Sequence, residues 1–450
     1  MLAEILSTGD EVRTGAVVDT NAAYIADMLE HAGFNVTRHT CVGDQTETIA
    51  EVLQEMGERA DVVVVTGGLG PTGDDVTAAA AARAAGIELM EDSRAMAVVE
   101  GFFHRRGRSV TDTNRKQGLI PQGAVCIDNP VGSAPGFAMD LGSCRFYFLP
   151  GVPREMRRML AESVLPEVSN LRGSARELRR VRVLTTFGLP ESTLADRLTG
   201  FEDRFDDIQL GLRAHFPEIH IRLYLAGSDE GDLDRREQAA VLWIEDRLGT
   251  AVVSAEGFSL AQIVGRELIR QKATLALAES CTGGLLASWI TDVAGSSDYF
   301  QLGAVTYANA AKQAVLGVQS ETLDRWGAVH PQTAREMAVG VRRLAGTTYG
   351  LATSGIAGPT GGSAAKPEGS LCLGIAGPRG ADSFGYRFAF NDRLTNKRAF
   401  AATALNLLRI VLKDGMASDL AVRARPIWAD SLVLEEPSKA AAGTKDESRT

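Results

Sequence analysis

The chain contains 450 residues, of which 45% are hydrophobic and 23% are charged, and its formal net charge is -10. This length exceeds what one hydrophobic core usually spans, so we expect two or three globular domains rather than a disordered or fibrous chain. The negative charge disfavours broad binding to nucleic acid, and apolar runs such as residues 62–65 are too short to cross a bilayer. We therefore expect a cytoplasmic protein without a secretory signal, with neither nucleic acid nor membrane as a partner.

Five cysteines, at positions 41, 126, 144, 281 and 372, are scattered along the chain and never form a Cys-x-x-Cys pair. An odd number without close spacing argues against a disulfide framework and against structural zinc. We expect reduced thiols that mostly pack in the core.

Residues 1–165 alternate short apolar segments with amphipathic ones, which predicts an α/β sandwich with a largely parallel sheet. The predicted elements are a strand at 2–8, a helix at 21–31, a strand at 35–40, a helix at 46–57 and a strand at 61–66. Four consecutive valines in the last strand indicate that it is buried on both faces.

Residues 170–256 contain shorter, mixed segments that predict a small α+β domain, with a strand at 220–225 and a helix at 229–247, and we find no motif for chemistry in them. A second α/β domain is predicted over 258–415. Its elements are a helix at 259–272, strands at 273–278 and near 302–307, 349–354 and 370–376, and a helix at 395–412. Residues 435–450 lack large apolar side chains and predict a disordered tail.

The first chemical motif is the segment AESCTGG at residues 278–284, placed where a strand ends and a helix begins. Ser280 would project from the strand, and the free amides of the following turn would form an oxyanion hole. The alternative is that the serine or threonine caps the helix and the glycines allow close packing.

Two further segments lie at similar junctions. GAVTYANAAK at residues 303–312 brings Tyr307 and Lys312 close to a strand end, and a desolvated lysine can act as a base because burial lowers the pKa of an amine. A glycine-rich loop follows a third strand at residues 354–362 and continues to KPEG at 366–369. Each feature also has a plain structural explanation, namely a solvated lysine, a packed tyrosine and a flexible loop.

The three segments, in this order, resemble the CinA C-terminal domain over about residues 258–415. The resemblance implies an α/β amidase domain that hydrolyses nicotinamide mononucleotide to nicotinic acid mononucleotide and ammonia, without a cofactor. It implies Ser280 as nucleophile, Lys312 as its base and Tyr307 as a residue that orients or relays a proton. The expected substrate contacts are Cys281, Thr282, Gly283, Thr353, Ser354, Gly358, Thr360 and Arg393.

Two features qualify these roles. Cys281 stands next to the serine as an alternative nucleophile, although the motif order of the family favours Ser280. The glycine-rich loop and the segment after Arg393 depart from the usual family pattern, which bears on loop detail and on the expected contact between Arg393 and a phosphate.

The N-terminal region carries the motif TGGLGPTGDDVT at residues 66–77, directly after the valine-rich strand. Backbone amides at such a turn can hold phosphate, and neighbouring carboxylates can hold a divalent cation, although aspartate caps and turn glycines give the same letters. Further motifs are TGDE at residues 8–11, DTN at 19–21, GD at 43–44, NRKQ at 114–117, GSAPG at 132–136 and LPGVPREM at 149–156. With them, this region resembles the molybdopterin-binding-like domain at the front of CinA proteins, and residues 170–256 resemble the linker domain of that family. The resemblance implies metal-dependent hydrolysis of ADP-ribose.

The expected N-terminal nucleotide site comprises Asn21, Gly67, Gly68 and Lys116, with Asp10, Glu11, Asp44, Asp74 and Asp75 as metal ligands. Two hypotheses cover the whole chain. One is a pyridine-nucleotide salvage enzyme in NAD metabolism. The other is a nucleotide-binding regulatory protein without turnover, as the label of competence and damage inducibility suggests. A molybdenum-cofactor enzyme rests on fold resemblance alone. A homodimer is expected from the family and from the prevalence of two-fold assemblies.

Overall fold

The computed structural model describes residues 1–171, 178–416 and 419–432, so the tail predicted at 435–450 lies outside the described residues. Two compact units are present, one formed by Met1–Val181 with Leu225–Leu233, the other by Arg182–Tyr224 with the chain from Asp234 onward. Each unit mixes helices and sheets, which confirms the predicted α/β class. Within these ranges, no helix combines the length and the apolar composition needed to cross a membrane.

The first unit contains a six-stranded sheet whose strands follow the order β2-β1-β3-β8-β7-β6. The elements are β1 (Leu2–Thr8), α1 (Asp10–Arg13), α2 (Thr20–His31), β2 (Asn35–Val42), α3 (Thr46–Gly57), β3 (Val62–Thr66), α4 (Thr77–Ala85), β4 (Leu89–Glu91), α5 (Ser93–His104), α6 (Asp112–Arg115), β5 (Leu119–Pro121), β6 (Val125–Ile127), β7 (Gly136–Leu141), β8 (Cys144–Leu149), α7 (Pro153–Met159) and α8 (Leu165–Leu171). Strands β2, β1, β3 and β8 are parallel to one another, whereas β7 is antiparallel to both of its neighbours, β8 and β6. The short link between β7 and β8 requires that reversal.

The valine-rich strand β3 is buried along its whole length, as its sequence predicts. Val63 and Val65 join the hydrophobic core on one face of the sheet, and Val62 and Val64 join the core on the other. Successive side chains of a strand point to opposite faces, so a continuous apolar run is needed where helices cover both.

Residues 178–254 form a four-stranded sheet with the order β10-β11-β9-β12 and three helices. The elements are β9 (Leu178–Phe187), α9 (Glu191–Arg197), α10 (Phe201–Arg204), β10 (Ile208–His215), β11 (Glu218–Gly227), α11 (Glu230–Leu248) and β12 (Val252–Ser254). Only Phe216 and Pro217 separate β10 from β11. The strand predicted at 220–225 is the centre of β11.

The C-terminal part of the second unit is built on a sheet with the order β14-β13-β15-β16-β17-β18. Its elements are α12 (Leu260–Gln271), β13 (Leu275–Glu279), α13 (Leu285–Thr291), β14 (Phe300–Val305), α14 (Asn309–Leu316), α15 (Ser320–Trp326), α16 (Pro331–Ala345), β15 (Tyr349–Gly355), β16 (Ser370–Gly377), β17 (Gly380–Phe388), α17 (Arg393–Asp414), α18 (Leu420–Ala424) and β18 (Ala429–Ser431). Strands β14, β13 and β15 are parallel, so their carboxyl ends meet at one edge of the sheet.

Candidate active site

The serine and the lysine predicted to react together lie in direct contact. Ser280 follows the last residue of β13, and Lys312 lies on α14, one turn after its start. The Lys312 Nζ atom is 3.1 Å from the Ser280 Oγ atom. Ser280 is 8% exposed and Lys312 is completely buried. The pairing of β13 with β14 therefore brings the nucleophile and the base of the sequence prediction to one point.

The surroundings of Lys312 favour an uncharged amine. Its Nζ atom also donates to the carbonyl oxygens of Thr306, at 2.9 Å, and Tyr307, at 3.1 Å, so all three of its partners are uncharged oxygens. Burial lowers the pKa of Lys312, because the charged form loses its hydration. A neutral amine has two N–H groups and one lone pair. The two carbonyls take the N–H groups, and the lone pair is left to accept the hydroxyl proton of Ser280.

A buried carboxylate shapes the turn that follows the serine. Glu279, 1% exposed, accepts hydrogen bonds from the backbone amides of Gly284 at 2.9 Å, Leu286 at 3.1 Å and Ala287 at 2.9 Å. These amides belong to the start of α13, where a negative charge is favourable. Sequence reasoning missed Glu279, although an acidic residue at a strand end before a helix signals such a cap.

We expect Glu279→Gln to lower the free energy of unfolding of the second unit by about 1.5–3 kcal/mol, the contribution of hydrogen bonds to a charged group. The glutamine amide has only one acceptor oxygen for three backbone donors. Urea unfolding followed by tryptophan fluorescence measures this change, because all four tryptophans lie in the second unit. Glu267→Gln, which removes an exposed ion pair with Arg270, is the matched control and should cost less than about 1 kcal/mol. Equal effects of the two variants would contradict this role of Glu279.

The turn leaves two backbone amides for an oxyanion. The Ser280 amide donates to the carbonyl of Thr353 at 3.0 Å, and the Gly283 amide donates to the carbonyl of Ser280 at 3.1 Å. In the described part of the chain, the amides of Cys281 and Thr282 donate to no other residue. The sequence predicts an oxyanion hole from the amides of residues 281–283. In the structure the Gly283 amide closes the turn, and the first two amides have no partner among the described residues.

Cys281 is a poor nucleophile in this position. The residue is 5% exposed, and burial raises the pKa of its thiol to about 12. Because the thiolate is the reactive form, such a thiol remains protonated and inert near neutral pH. The geometry therefore favours Ser280 over its neighbour.

The Tyr307 side chain lies beside Arg393 rather than beside the serine. Tyr307 is 63% exposed, and its hydroxyl accepts from the Arg393 guanidinium at 3.3 Å, while its backbone carbonyl binds Lys312. Arg393 also donates to the carbonyl of Gly358 at 2.8 Å. One helical turn further on, the Lys397 Nζ atom lies 3.6 Å from the position that a Cβ on Gly283 would take. Sequence reasoning missed Lys397, although its i, i+4 spacing from Arg393 on α17 places both cations on one face.

The side chains of three predicted substrate contacts are engaged within the fold. Thr282 and Thr353 are completely buried and share a hydrogen bond of 2.7 Å between their hydroxyls, and Ser354, 1% exposed, donates to the carbonyl of Ala328 at 2.6 Å. Each of these three hydroxyls already has a partner within the fold, whereas the backbone amide of Thr282 has none among the described residues. Thr360 lies exposed in the glycine-rich loop.

The N-terminal motif residues border a cavity of about 560 Å³. Its lining includes Glu11, Asn21, Asp44, Gly67, Gly68, Asp74 and Asp75. The Asn21 amide nitrogen donates to Thr66 and to the carbonyl of Gly151, whereas its carbonyl oxygen is buried without a hydrogen-bond partner. An unpaired buried acceptor in a cavity is a place where a ligand donor is expected.

Asp10 and Lys116 are not among the described residues that line this cavity. Asp10 forms an ion pair with Arg13 at 3.0 Å, and the Lys116 ammonium donates to the carbonyl of Thr72. Their roles in the nucleotide site stay predictions. Short-range spacing did not reveal which way either side chain points.

The two glycines after β3 act mainly through close packing. A Cβ on Gly67 would lie 2.3 Å from the carbonyl oxygen of Thr8, and a Cβ on Gly68 would lie 2.1 Å from the Thr77 hydroxyl. The Gly67 amide already donates to the carbonyl of Leu149. It is therefore engaged within the fold rather than free for phosphate.

The predicted carboxylates do not form a cation cage by themselves. Asp75 accepts from the amides of Gly70 at 2.7 Å and Thr72 at 2.8 Å, which fixes the loop. Within the described ranges, no three of the five carboxylates place oxygen atoms within 4.8 Å of one another. Glu11, Asp44 and Asp74 remain at the cavity wall. They fit a Mg²⁺ ion only where phosphate and water supply most of the ligands, which is its usual coordination.

Fold and site together define a class: an α/β protein with a serine–lysine pair at the carboxyl ends of parallel strands, preceded by a unit with a glycine-lined cavity. Family models agree with this class. Residues 258–412 match the CinA C-terminal domain, residues 4–170 a probable molybdopterin binding domain, and residues 181–254 the damage-inducible protein CinA KH domain. The resemblance predicted from the sequence is confirmed.

Relatives cover almost the whole chain. A CinA-like protein of Desulfosudis oleivorans is 49% identical over 409 residues, which are 91% of this chain and 99% of the relative. A CinA-like protein of Geobacter sulfurreducens is 46% identical over 405 residues, with coverage of 90% and 97%. A crystal structure of the protein CinA with unknown function from Thermoplasma acidophilum is 34% identical, covers 37% of this chain and 97% of that one, and has a TM-score of 0.35. The chain belongs to the CinA family.

Proposed function

We propose that the C-terminal site hydrolyses the carboxamide of nicotinamide mononucleotide to nicotinic acid mononucleotide and ammonia. The observation that carries the proposal is the contact of 3.1 Å between the Lys312 Nζ atom and the Ser280 Oγ atom. Two backbone carbonyls orient the amine, so its lone pair is directed to the serine hydroxyl. A module that only binds nucleotides has no need of an activated nucleophile.

The chemistry follows from this arrangement. Lys312 accepts the hydroxyl proton while the Ser280 Oγ atom attacks the amide carbon, and the amides of Cys281 and Thr282 stabilise the oxyanion. When the carbon–nitrogen bond breaks, the Lys312 ammonium gives its proton to the leaving nitrogen, and ammonia departs. Water then attacks the acyl enzyme while Lys312 takes its proton, and Lys312 returns that proton to the Ser280 Oγ atom as the bond between acyl carbon and Oγ breaks and the nicotinate nucleotide is released.

Substrate selection follows from the cations at the start of α17. A phosphate monoester is held well by a guanidinium and a nearby ammonium, since hydrogen bonds between ions are short and strong. Arg393 and Lys397 are two cations near the serine turn and the glycine-rich loop. We assign them to the phosphate of the mononucleotide.

Arg393→Ala is expected to raise KM for nicotinamide mononucleotide about tenfold or more, because a hydrogen bond to a charged group contributes about 1.5–3 kcal/mol. Steady-state kinetics with the mononucleotide and with nicotinamide riboside, which lacks the phosphate, measure the effect. The variant should leave kcat/KM for the riboside nearly unchanged. If Arg393 serves only to hold Tyr307 and Gly358, kcat/KM for both substrates will fall together and the phosphate assignment fails.

The proposed activity is tested with the purified chain and nicotinamide mononucleotide in the absence of added metal. Ammonia and nicotinic acid mononucleotide should appear in equal amounts, and the Ser280→Ala chain serves as the matched control. Binding measured by calorimetry without any product would overturn the amidase proposal and support the alternative, a nucleotide-binding regulatory protein.

For the N-terminal unit we propose hydrolysis of the pyrophosphate of ADP-ribose with a divalent cation. The buried, unpartnered Asn21 oxygen in the cavity of about 560 Å³ supports a ligand there, because a ribose hydroxyl can donate to it. Glu11, Asp44 and Asp74 would hold the cation together with phosphate and water. Release of AMP from ADP-ribose, measured with and without Mg²⁺, tests this activity, and the absence of AMP in both conditions would reject it.

A further inference from the structure

The hairpin between β10 and β11 gathers three metal-binding side chains. His215 is the last residue of β10 and Glu218 the first of β11, with a two-residue loop between them. His220 follows Glu218 by two positions, so both side chains lie on the same face of β11. Their ligand atoms, one from each residue, all lie within 4.8 Å of one another.

One oxygen of Glu218 is already fixed and the other remains for a cation. Its Oε1 atom accepts from the Leu260 amide at 2.8 Å, at the start of α12, and its Oε2 atom lies 3.9 Å from the His220 Nε2 atom. Glu218 is only 8% exposed, so its carboxylate is held firmly. A distance of 3.9 Å is too long for a hydrogen bond, which leaves this oxygen without a close partner in His220.

The two histidines need only a small movement to share an ion. Their rings are parallel, with an interplanar angle of 7° and centroids 5.3 Å apart. In a tetrahedral zinc site, each histidine nitrogen lies about 2.0–2.1 Å from the ion. The two ligand nitrogens are then closer to each other than the two ring centroids are in this structure. His215 is exposed, so its side-chain rotamer can change to close the gap.

A cavity of about 680 Å³ borders this cluster. Its lining includes His215 and Glu218 from the hairpin, Gln262 from α12, Asp292 after α13 and Arg398 from α17. Ser280 and Lys312 are not among the described residues that line it. The cluster is therefore a place separate from the serine–lysine pair.

We propose that His215, Glu218 and His220 bind a divalent transition-metal ion of the zinc class, with a remaining coordination position open to this cavity. Two imidazoles and one carboxylate form a donor set that suits zinc and its neighbours better than Mg²⁺ or Ca²⁺, which prefer oxygen alone. Three protein ligands leave room for water or for an anionic ligand, and Arg398 supplies a positive charge at the cavity wall. The proposal is independent of the amidase function.

Titration of the full-length chain with Co²⁺ tests the site. Excess Mg²⁺ is present to occupy sites made of oxygen alone, and visible absorption reports a cobalt ion in a low-coordinate nitrogen and oxygen site. One equivalent of Co²⁺ should bind to the wild type and produce visible absorption bands, and Zn²⁺ should displace it. The double variant His215→Ala with His220→Ala should bind at least about 100-fold more weakly.

The matched control is the double variant His39→Ala with His104→Ala, which removes two exposed histidines from elsewhere and should bind as the wild type does. Should the hairpin variant fail to fold, the single variant His215→Ala, at an exposed position, must still weaken binding. Equal affinity and spectra for the wild type and for His215→Ala would overturn the proposal, as would equal loss in the control.

Discussion

Ser280→Ala is expected to abolish the release of ammonia from nicotinamide mononucleotide, with a fall in kcat of about 10⁴-fold or more. The hydroxyl is the only group of Ser280 in contact with the Lys312 amine, and alanine retains the backbone that forms the turn. Single-turnover assays of ammonia and of the acid product measure the loss. Calorimetric titration should show that the variant still binds the substrate, because the cations of α17 are unchanged.

The neighbouring cysteine provides the sharpest comparison. Cys281→Ala should retain most of the activity, since the pKa of this thiol is raised to about 12 and the residue contributes its backbone amide rather than its sulfur. Because the residue is buried, the alanine removes some packing and some stability. Loss of activity in Cys281→Ala together with retained activity in Ser280→Ala would assign the nucleophile to the cysteine and reject the proposed mechanism.

Local sequence patterns predicted most elements of the fold. The valine run gave β3, and the predicted strand at 2–8 and helix at 46–57 agree with β1 and α3 in the structure. Each of these elements can be recognised from the pattern of apolar residues within its own segment. The antiparallel hairpin β7–β8 and the long helix α16 were not predicted, although both carry local signals. Gly142 and Ser143 form a two-residue link between the strands, and α16 starts at Pro331 and ends before Gly346.

The serine–lysine pair was predictable because both residues sit at strand ends with motif-like spacing. The parallel pairing of β13 with β14, in which Glu279 lies opposite Val305, then brings together the segments that follow the two strands. Side-chain direction was not predictable in the same way. The Thr353 side chain is buried in the core and the Tyr307 side chain is exposed, although Thr353 lies near the end of β15 and Tyr307 follows β14 in the same sheet.

The histidine cluster shows a different limit. The letters HFPEIH at residues 215–220 carry no familiar metal motif, and the segment was expected to have no chemistry. Its signal is the two-residue loop, which makes His215 and Glu218 neighbours across the hairpin. Strand bounds had to be known to within one residue before that signal could be read, and bounds are the least certain part of a sequence prediction.

The rate of the wild-type chain should rise with pH and level off below the range of an ordinary lysine. Burial lowers the pKa of Lys312, so the reactive neutral amine is populated at lower pH than it would be in water. The unfolded chain binds a proton at this lysine up to its ordinary pKa of about 10.4, whereas the folded chain releases it earlier. The contribution of this group to stability is therefore fully present above the unfolded pKa and is lost as pH falls through the lowered folded pKa.

Lys312→Met separates the catalytic role from the structural one. Methionine fills a similar volume without a base, so kcat should fall by about 10²–10⁴-fold and the rise of rate with pH should disappear. Methionine leaves the carbonyls of Thr306 and Tyr307 without the donor that Lys312 supplies, so the free energy of unfolding at neutral pH should fall by about 1–3 kcal/mol. Rate profiles and urea unfolding at several pH values measure both effects. A folded variant that keeps the wild-type rate and its rise with pH would mean that Lys312 is not the base.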